Sequence, residues 1–197
     1  MAERLSGLTE QEGARRLAVG DRELFLCQGN IVEIKADAIV TAANAELQGG
    51  GGVDAVVHEA AGLSLITSCL AIRADEKGHR CPTGQARITP GFDLCPWVIH
   101  AVGPIYDQYS PARAEQLLRS AYDMAFFLST TRECAHIAAP AISAGVYGYP
   151  MKEAAEVAVD RAVAFLEDRA GSVQSVTFVL FNNVAFDAFC QAAEARV

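Results

Sequence analysis

Asp54 and His58 stand four residues apart, directly after an unbroken run of four glycines, Gly49 to Gly52. On a helix, that spacing puts a carboxylate and an imidazole on one face. Such a pair can orient a water molecule or move a proton. Four glycines are costly to order, and what they offer is close backbone approach to a ligand with amide hydrogens presented to it. A helix that begins at Val53 adds its electropositive N-terminus to those amides, which suits a phosphate. Two plainer readings stand beside this one. A carboxylate in a first helical turn also stabilises the helix dipole, and a helical histidine is commonly a packed or surface residue. Asn44, just after an apolar run, likewise reads as a turn residue.

A second loop carries related features: Ser143, Ala144, Gly145, Val146, Tyr147 and Gly148 lie between an apolar run and a helical stretch. Its amides can wrap an anion, and Tyr147 and Tyr149 offer flat faces for a sugar or base. A tight connection with both aromatics packed inward is the alternative. Neither loop is a phosphate-binding GK[ST] element or a GxGxxG dinucleotide fingerprint.

The formal net charge of −8 argues against attraction to a nucleic-acid backbone. It leaves room for a small anion held by backbone amides. The cysteines, Cys27, Cys69, Cys81, Cys95, Cys134 and Cys190, form no CxxC pair and sit mostly among apolar neighbours, as small buried hydrophobes do. His79 and Cys81 are close together but lack the second pair that a structural zinc site needs, so no metal and no cofactor are expected. No stretch is long and apolar enough to span a membrane. The charged segment Met1 to Arg16 is unlike a signal peptide, so the expectation is a cytoplasmic monomer.

The elements that must position these loops alternate along the chain. Short apolar runs at Leu24–Cys27, Ala38–Ala42, Ala86–Thr89, Trp97–Val102, His136–Ile142 and Ser175–Phe181 predict strands. Helices are predicted at Val53–Ala61, from Leu63 to Glu76, at Ala112–Thr131, at Lys152–Asp168 and at Ala185–Ala195. Residues 1 to about 20 read as a helical extension, with Ser6 to Val19 as the helix, Thr9 as its cap and Glu12 three residues on. The rest, residues 21–197, reads as one domain. The alternation implies an α/β fold with a largely parallel or mixed sheet covered on both faces. Ligands in open sheets of this class sit at the carboxyl ends of the strands, where both glycine-rich loops fall.

Several segments, in order, resemble the MacroD-type macrodomains over about residues 20 to 190. They are Gly29-Asn30-Ile31, Asp37 to Val40, Ala42-Ala43-Asn44, Gly49 to Asp54, His58, Ala60 to Gly62, Thr83 to Ala86, Val98 to His100, Val102 to Pro104 and Ile142 to Pro150. The GGGGVD-x3-H element together with SxGVYGYP is the specific part. The resemblance implies a three-layer α/β/α sandwich with ADP-ribose in a cleft above the sheet. By that analogy Asn30 and Ile31 meet the adenine, with Asn182 or Phe186 near it. Ala43, Gly50, Gly51, Gly52, Val53 and the stretch Ser143, Ala144, Gly145, Val146 and Tyr147 surround the diphosphate and distal ribose. Asn44 is placed on the distal ribose, and Asp54 and His58 match the residues implicated in hydrolysis. His100, in the apolar strand Val98 to Val102, reads as a buried structural histidine.

What the resemblance implies about activity is hydrolysis of ester-type ADP-ribose linkages, on acidic side chains of proteins and in O-acetyl-ADP-ribose. The partners would be ADP-ribose and ADP-ribosylated proteins or small molecules, with nucleic acid only as ADP-ribosylated ends. A non-catalytic ADP-ribose reader and an ADP-ribose 1″-phosphate phosphatase are the rivals. Three positions depart from the family's pattern: Asn30 for Asp, Thr41 for Asn and Ala144 for Thr. Asn30 bears on affinity because a neutral amide accepts without charge assistance. Thr41 bears on turnover, because a hydroxyl is shorter than an amide. Ala144 matters little where the contacts are backbone amides.

Overall fold

A computed structural model describes residues 15–196. Seven strands form one sheet: β1 (Arg15–Val19), β2 (Arg22–Gln28), β3 (Ala38–Ala42), β4 (Ala86–Gly91), β5 (Cys95–Ala101), β6 (His136–Ala139) and β7 (Ser175–Leu180). Their order across the sheet is β1-β2-β7-β6-β3-β5-β4. The five central strands run parallel, and only the two edges, β1 and β4, are antiparallel. Parallel strands need both faces covered, and the middles of these strands are accordingly mostly apolar and buried. Every residue of β7 is buried.

The helices are α1 (Val53–Ala61), α2 (Leu63–Ala71), α3 (Pro111–Thr130), α4 (Met151–Asp168) and α5 (Asn183–Glu194). Strand side chains alternate between the two faces. Ala38, Val40, Ile99, Ile137, Val176 and Phe178 join the larger core under α3, α4 and α5. Ile39, Val98, Ala138 and Val179 join a smaller one under α1 and α2. The result is the expected three-layer sandwich with a mixed, largely parallel sheet. No single helix among the described residues is long and apolar enough to cross a membrane.

Residues 15–19 correct one expectation. They form a strand and not the end of a helix, pairing antiparallel with β2 from Arg15↔Leu26 to Val19↔Arg22. The turn is Gly20-Asp21, with Gly20 at φ 63°, and a two-residue Gly-Asp link between apolar runs is a hairpin signal. The strand's backbone bonds to the sheet edge outweigh any helical tendency of five residues. The remainder of the expected extension, with Thr9 and Glu12, lies outside the described residues.

Helix α2 also ends earlier than its apolar pattern suggests, at Ala71 and not near Glu76. Beyond it, Asp75 Oδ1 accepts from the amides of Lys77 (2.8 Å) and His79 (2.9 Å). A side chain that bonds its neighbours' backbone this way holds a turn in preference to a helix. All six cysteines are free. Burial pushes the thiols of Cys27, Cys81, Cys95 and Cys134 up to about 11, as packing residues require.

Candidate active site

The carboxyl ends of the five parallel strands lie along one edge, and each is followed by a segment singled out in the sequence. Gly29 to Ile31 follows β2, Asn44 to Gly52 follows β3, and Val102 to Pro104 follows β5. Ser143 to Tyr149 follows β6, and Phe181-Asn182 follows β7.

The glycine loop is shaped by Asn44. Its Nδ2 donates to the Gly49 carbonyl (2.8 Å), and its Oδ1 accepts from the Gln48 amide (3.2 Å). One Nδ2 hydrogen remains after that. The turn thus closed folds the glycines back over the side chains behind them. A Cβ at Gly50 would stand 3.6 Å from Asn44 Nδ2 and 3.7 Å from Asp54 Oδ2, and one at Gly49 would stand 3.7 Å from His58 Cγ. Asn44, Asp54 and His58 are therefore brought together under one strip of backbone. Ala43 anchors the strip from below, donating its amide to Ala101 (2.9 Å) with its methyl buried.

Gly52, Gly51 and Gly50 are exposed, and Val53, half-buried, opens α1. Gly52 caps that helix without any side-chain hydrogen bond, so the first amides of α1 are left to other acceptors. Its φ of 62° and ψ of −135° belong to a region that only glycine occupies readily.

Asp54 is 1% exposed. Its Oδ1 accepts from the Thr41 hydroxyl (2.8 Å), and its Oδ2 is buried with no hydrogen-bond partner among the described residues. His58 Nε2 lies 3.7 Å from Asp54 Oδ1, beyond hydrogen-bond reach, and is likewise buried and unpartnered. Burial raises the Asp54 carboxyl above the usual carboxylate range; the Thr41 hydrogen bond and the nearby His58 pull it partly back. A carboxylate with one oxygen fixed and the other left without a partner beneath a glycine loop is suited to orienting water or accepting a proton.

Thr41 is turned inward, with its hydroxyl taken by Asp54. It is fully buried, on the α1–α2 side of β3, and pairs in register with His100 on β5. His100 is buried as expected. One of its ring nitrogens, Nε2, shares a hydrogen bond with the Thr89 hydroxyl (2.9 Å) and lies 3.5 Å from the Cys69 sulfur. Burial lowers its pKa to about 3, so the ring is neutral. His58, Cys69 and His100 bring their donor atoms within 4.8 Å of one another. Within this group His100 is linked to the Thr89 hydroxyl and lies near the Cys69 sulfur, whose thiol burial pushes up to about 12, while His58 Nε2 has no hydrogen-bond partner among the described residues. Sequence reading did not single out Cys69 or Thr89 for this role, because only the fold brings α2 and β4 to His100.

The second loop is set by Ser143, buried at φ 64°, whose carbonyl accepts from the Tyr149 amide (3.0 Å). Gly145 and Val146 are exposed, the latter at 94%, and Ala144 packs against the larger core. Tyr147 is half-buried, and its carbonyl takes the Tyr106 amide (2.9 Å). Its phenol is raised by burial and by the charges of Glu46 and Asp54. Tyr149 is the inward aromatic, edge-on to Tyr106 with ring centroids 4.8 Å apart.

At the far end, Asn30 is exposed and its Oδ1 accepts from the Val32 amide (3.4 Å), capping a short turn over Ile31–Glu33. Ile31 itself is core, 3% exposed. Asn182 caps α5 through Ala185 (2.9 Å), and Phe186 is half-buried against the larger core. Asn30 and Asn182 thus each stand two residues past the ends of the adjacent strands β2 and β7.

Residues 40–158 match the Macro domain family model, which is more than half of the chain. The O-acetyl-ADP-ribose deacetylase of Salmonella gallinarum is 45% identical over 160 residues, covering 81% of this chain and 87% of that protein. The ADP-ribose glycohydrolase MACROD2 of Xenopus laevis is 41% identical over 160 residues, covering 81% of this chain and 37% of that longer protein. The macrodomain of Oceanobacillus iheyensis solved with ADP has the same fold, with a TM-score of 0.86 at 37% identity, covering 93% of this chain and 96% of that one. An α/β sandwich with two glycine-rich loops at its switch edge defines the class. The chain belongs to the macrodomain family.

Proposed function

We propose that the chain binds ADP-ribose along the strand edge and hydrolyses ester-type linkages at the distal ribose, in mono-ADP-ribosylated Asp or Glu residues and in O-acetyl-ADP-ribose. The observation that carries the reading is Asp54 Oδ2, buried, unpartnered and set beside Asn44 under the glycine loop. The names of the Salmonella and Xenopus relatives support the same reaction class.

On this reading the exposed amides of Gly50 to Gly52 and of the Ser143–Tyr147 loop take the diphosphate, and the α1 N-terminus adds its dipole. The spare Nδ2 hydrogen of Asn44 goes to a hydroxyl of the distal ribose. A water between that ribose and the phosphate is the nucleophile, and Asp54 Oδ2 orients it or takes its proton. His58 supports Asp54 or the leaving group. Amide dipoles fixed in advance stabilise charge without reorganising during reaction.

The test is to incubate the protein with a glutamate-linked mono-ADP-ribosylated protein and with O-acetyl-ADP-ribose, following product. Release of free ADP-ribose from either is expected. Calorimetric binding of ADP-ribose with no turnover of either substrate overturns hydrolysis and leaves a reader. Release of inorganic phosphate from ADP-ribose 1″-phosphate alone leaves the phosphatase.

A further inference from the structure

Asp54 lies where a carboxylate is hard to hold. It is on the first turn of α1 and 1% exposed, and the Arg80 cation is near enough to act on the same Cys69 thiol that Asp54 acts on. From its own helix His58 faces it at 3.7 Å. From α2 the neutral Cys69 thiol is near enough to feel its charge, and His100 on β5, also neutral, stands behind His58 with ring centroids 6.0 Å apart. From the second loop Tyr147 is near enough to feel the charges of both Asp54 and Glu46. None of these bonds the carboxylate. Among the described residues the Thr41 hydroxyl is its one hydrogen-bond donor.

We infer that Thr41 is a positioning residue for the hydrolysis proposed above: by fixing Asp54 through Oδ1, it turns Oδ2 toward Asn44 and Gly50. The inference rests on the hydrolase reading for its catalytic consequence, and on geometry alone for the hold on Asp54. The hydroxyl has a single proton to give, and the 2.8 Å bond to Oδ1 uses it. Tilting the carboxylate plane away from this setting would break that bond and leave both oxygens buried without a partner. A β-branched side chain on a strand has few χ1 choices, so the donor itself is held still. Where the family usually has Asn, this chain has a hydroxyl whose proton goes to Asp54.

Thr41→Val keeps the shape and removes the proton, Thr41→Ser keeps the proton, and Thr41→Ala covers the case of a misfolded valine variant. Two measurements are made on the full chain: kcat and KM for O-acetyl-ADP-ribose against pH, and the Asp54 side-chain carboxyl titration by 13C NMR without substrate. In Thr41→Val, kcat is expected to fall about tenfold or more, the scale of a hydrogen bond to a charged group. KM should change little, and both the acid limb of kcat and the Asp54 midpoint should move to higher pH. Thr41→Ser should recover most of the loss. Wild-type kcat and an unmoved midpoint in Thr41→Val, or a serine variant as impaired as the valine, overturn the inference. Absence of turnover by the wild-type protein overturns the hydrolase reading and the catalytic consequence with it, and the NMR midpoint still decides separately whether Thr41 holds Asp54.

Discussion

Gly103, just past the end of β5, faces Ser143 so closely that a Cβ at 103 would overlap the serine Oγ and stand 2.5 Å from Ile142 Cγ2. This close approach seats the second glycine-rich loop against the strand edge at Ser143, whose φ is 64°. A Gly103→Ala variant is therefore expected to lose about 1–3 kcal/mol, the usual cost of overfilling a packed site. Adding Ser143→Gly should return part of it, since the overlapping oxygen goes and a left-handed φ suits glycine; the Ile142 contact remains. Urea unfolding of the three proteins checks this. A Gly103→Ala protein as stable as the wild type would show that the loop is seated by something else.

Gly52 and Gly51 should respond differently although they are neighbours. Gly52 is locked into a glycine-only conformation, and a side chain there costs about 1–3 kcal/mol. Gly51 has a φ open to any residue and nothing within 4 Å of an added Cβ, so Gly51→Ala should leave stability within about 0.5 kcal/mol. Gly52→Ala should also weaken ADP-ribose binding by about tenfold where one amide–phosphate bond is lost. Thermal unfolding and calorimetry on both variants measure the contrast. Equal losses would contradict it.

Asp54→Asn should separate chemistry from folding. Turnover is expected to drop by about 10²-fold or more, with ADP-ribose affinity largely kept. Stability should move the other way. Burial raises the Asp54 pKa, so the native state favours the protonated form, and the stability this gives is lost as pH rises through the carboxylate range. The asparagine variant should hence be at least as stable as the wild type at neutral pH, with its advantage shrinking in acid. Asn still accepts from Thr41. Unchanged turnover would remove Asp54 from the mechanism.

His100 gives the opposite pH dependence. Its pKa falls from the ordinary 6.5 to about 3, through burial first and the neighbouring His58 second. The unfolded chain therefore binds a proton near pH 6.5 that the native state refuses until about 3. Stability from the neutral ring is fully present above 6.5 and is lost as pH falls, at about 1.4 kcal/mol per pH unit. His100→Gln will be less stable at pH 7, and the gap to wild type should narrow steadily between pH 6.5 and 4. Denaturant unfolding at several pH values gives the slopes, and parallel curves would mean His100 titrates as it does in the unfolded chain.

Much of this was written in the sequence. Alternating apolar runs and helical periods marked six of the strands and all five helices, because burial on both faces leaves a composition that no loop needs. The two glycine-rich loops and the Asp54–His58 spacing were equally legible, since close backbone approach and a shared helical face are local properties. The strand at Arg15–Val19 was not: five residues with charges carry little periodicity, and it exists because β2 offers an unpaired edge.

The role of Thr41 was also invisible to local reading. In sequence it is a polar residue at the end of an apolar run, thirteen positions from Asp54. Nothing local says whether its hydroxyl meets solvent, ligand or protein. Strand register puts it opposite His100 on the α1–α2 face, and the packing of α1 brings Asp54 over it. The sequence determined that Asp54 would sit beside a glycine-rich loop at a helix N-terminus. Only the tertiary structure decided that one of its oxygens is held by a hydroxyl while the other is left without a partner, because the donor that orients it comes from another element.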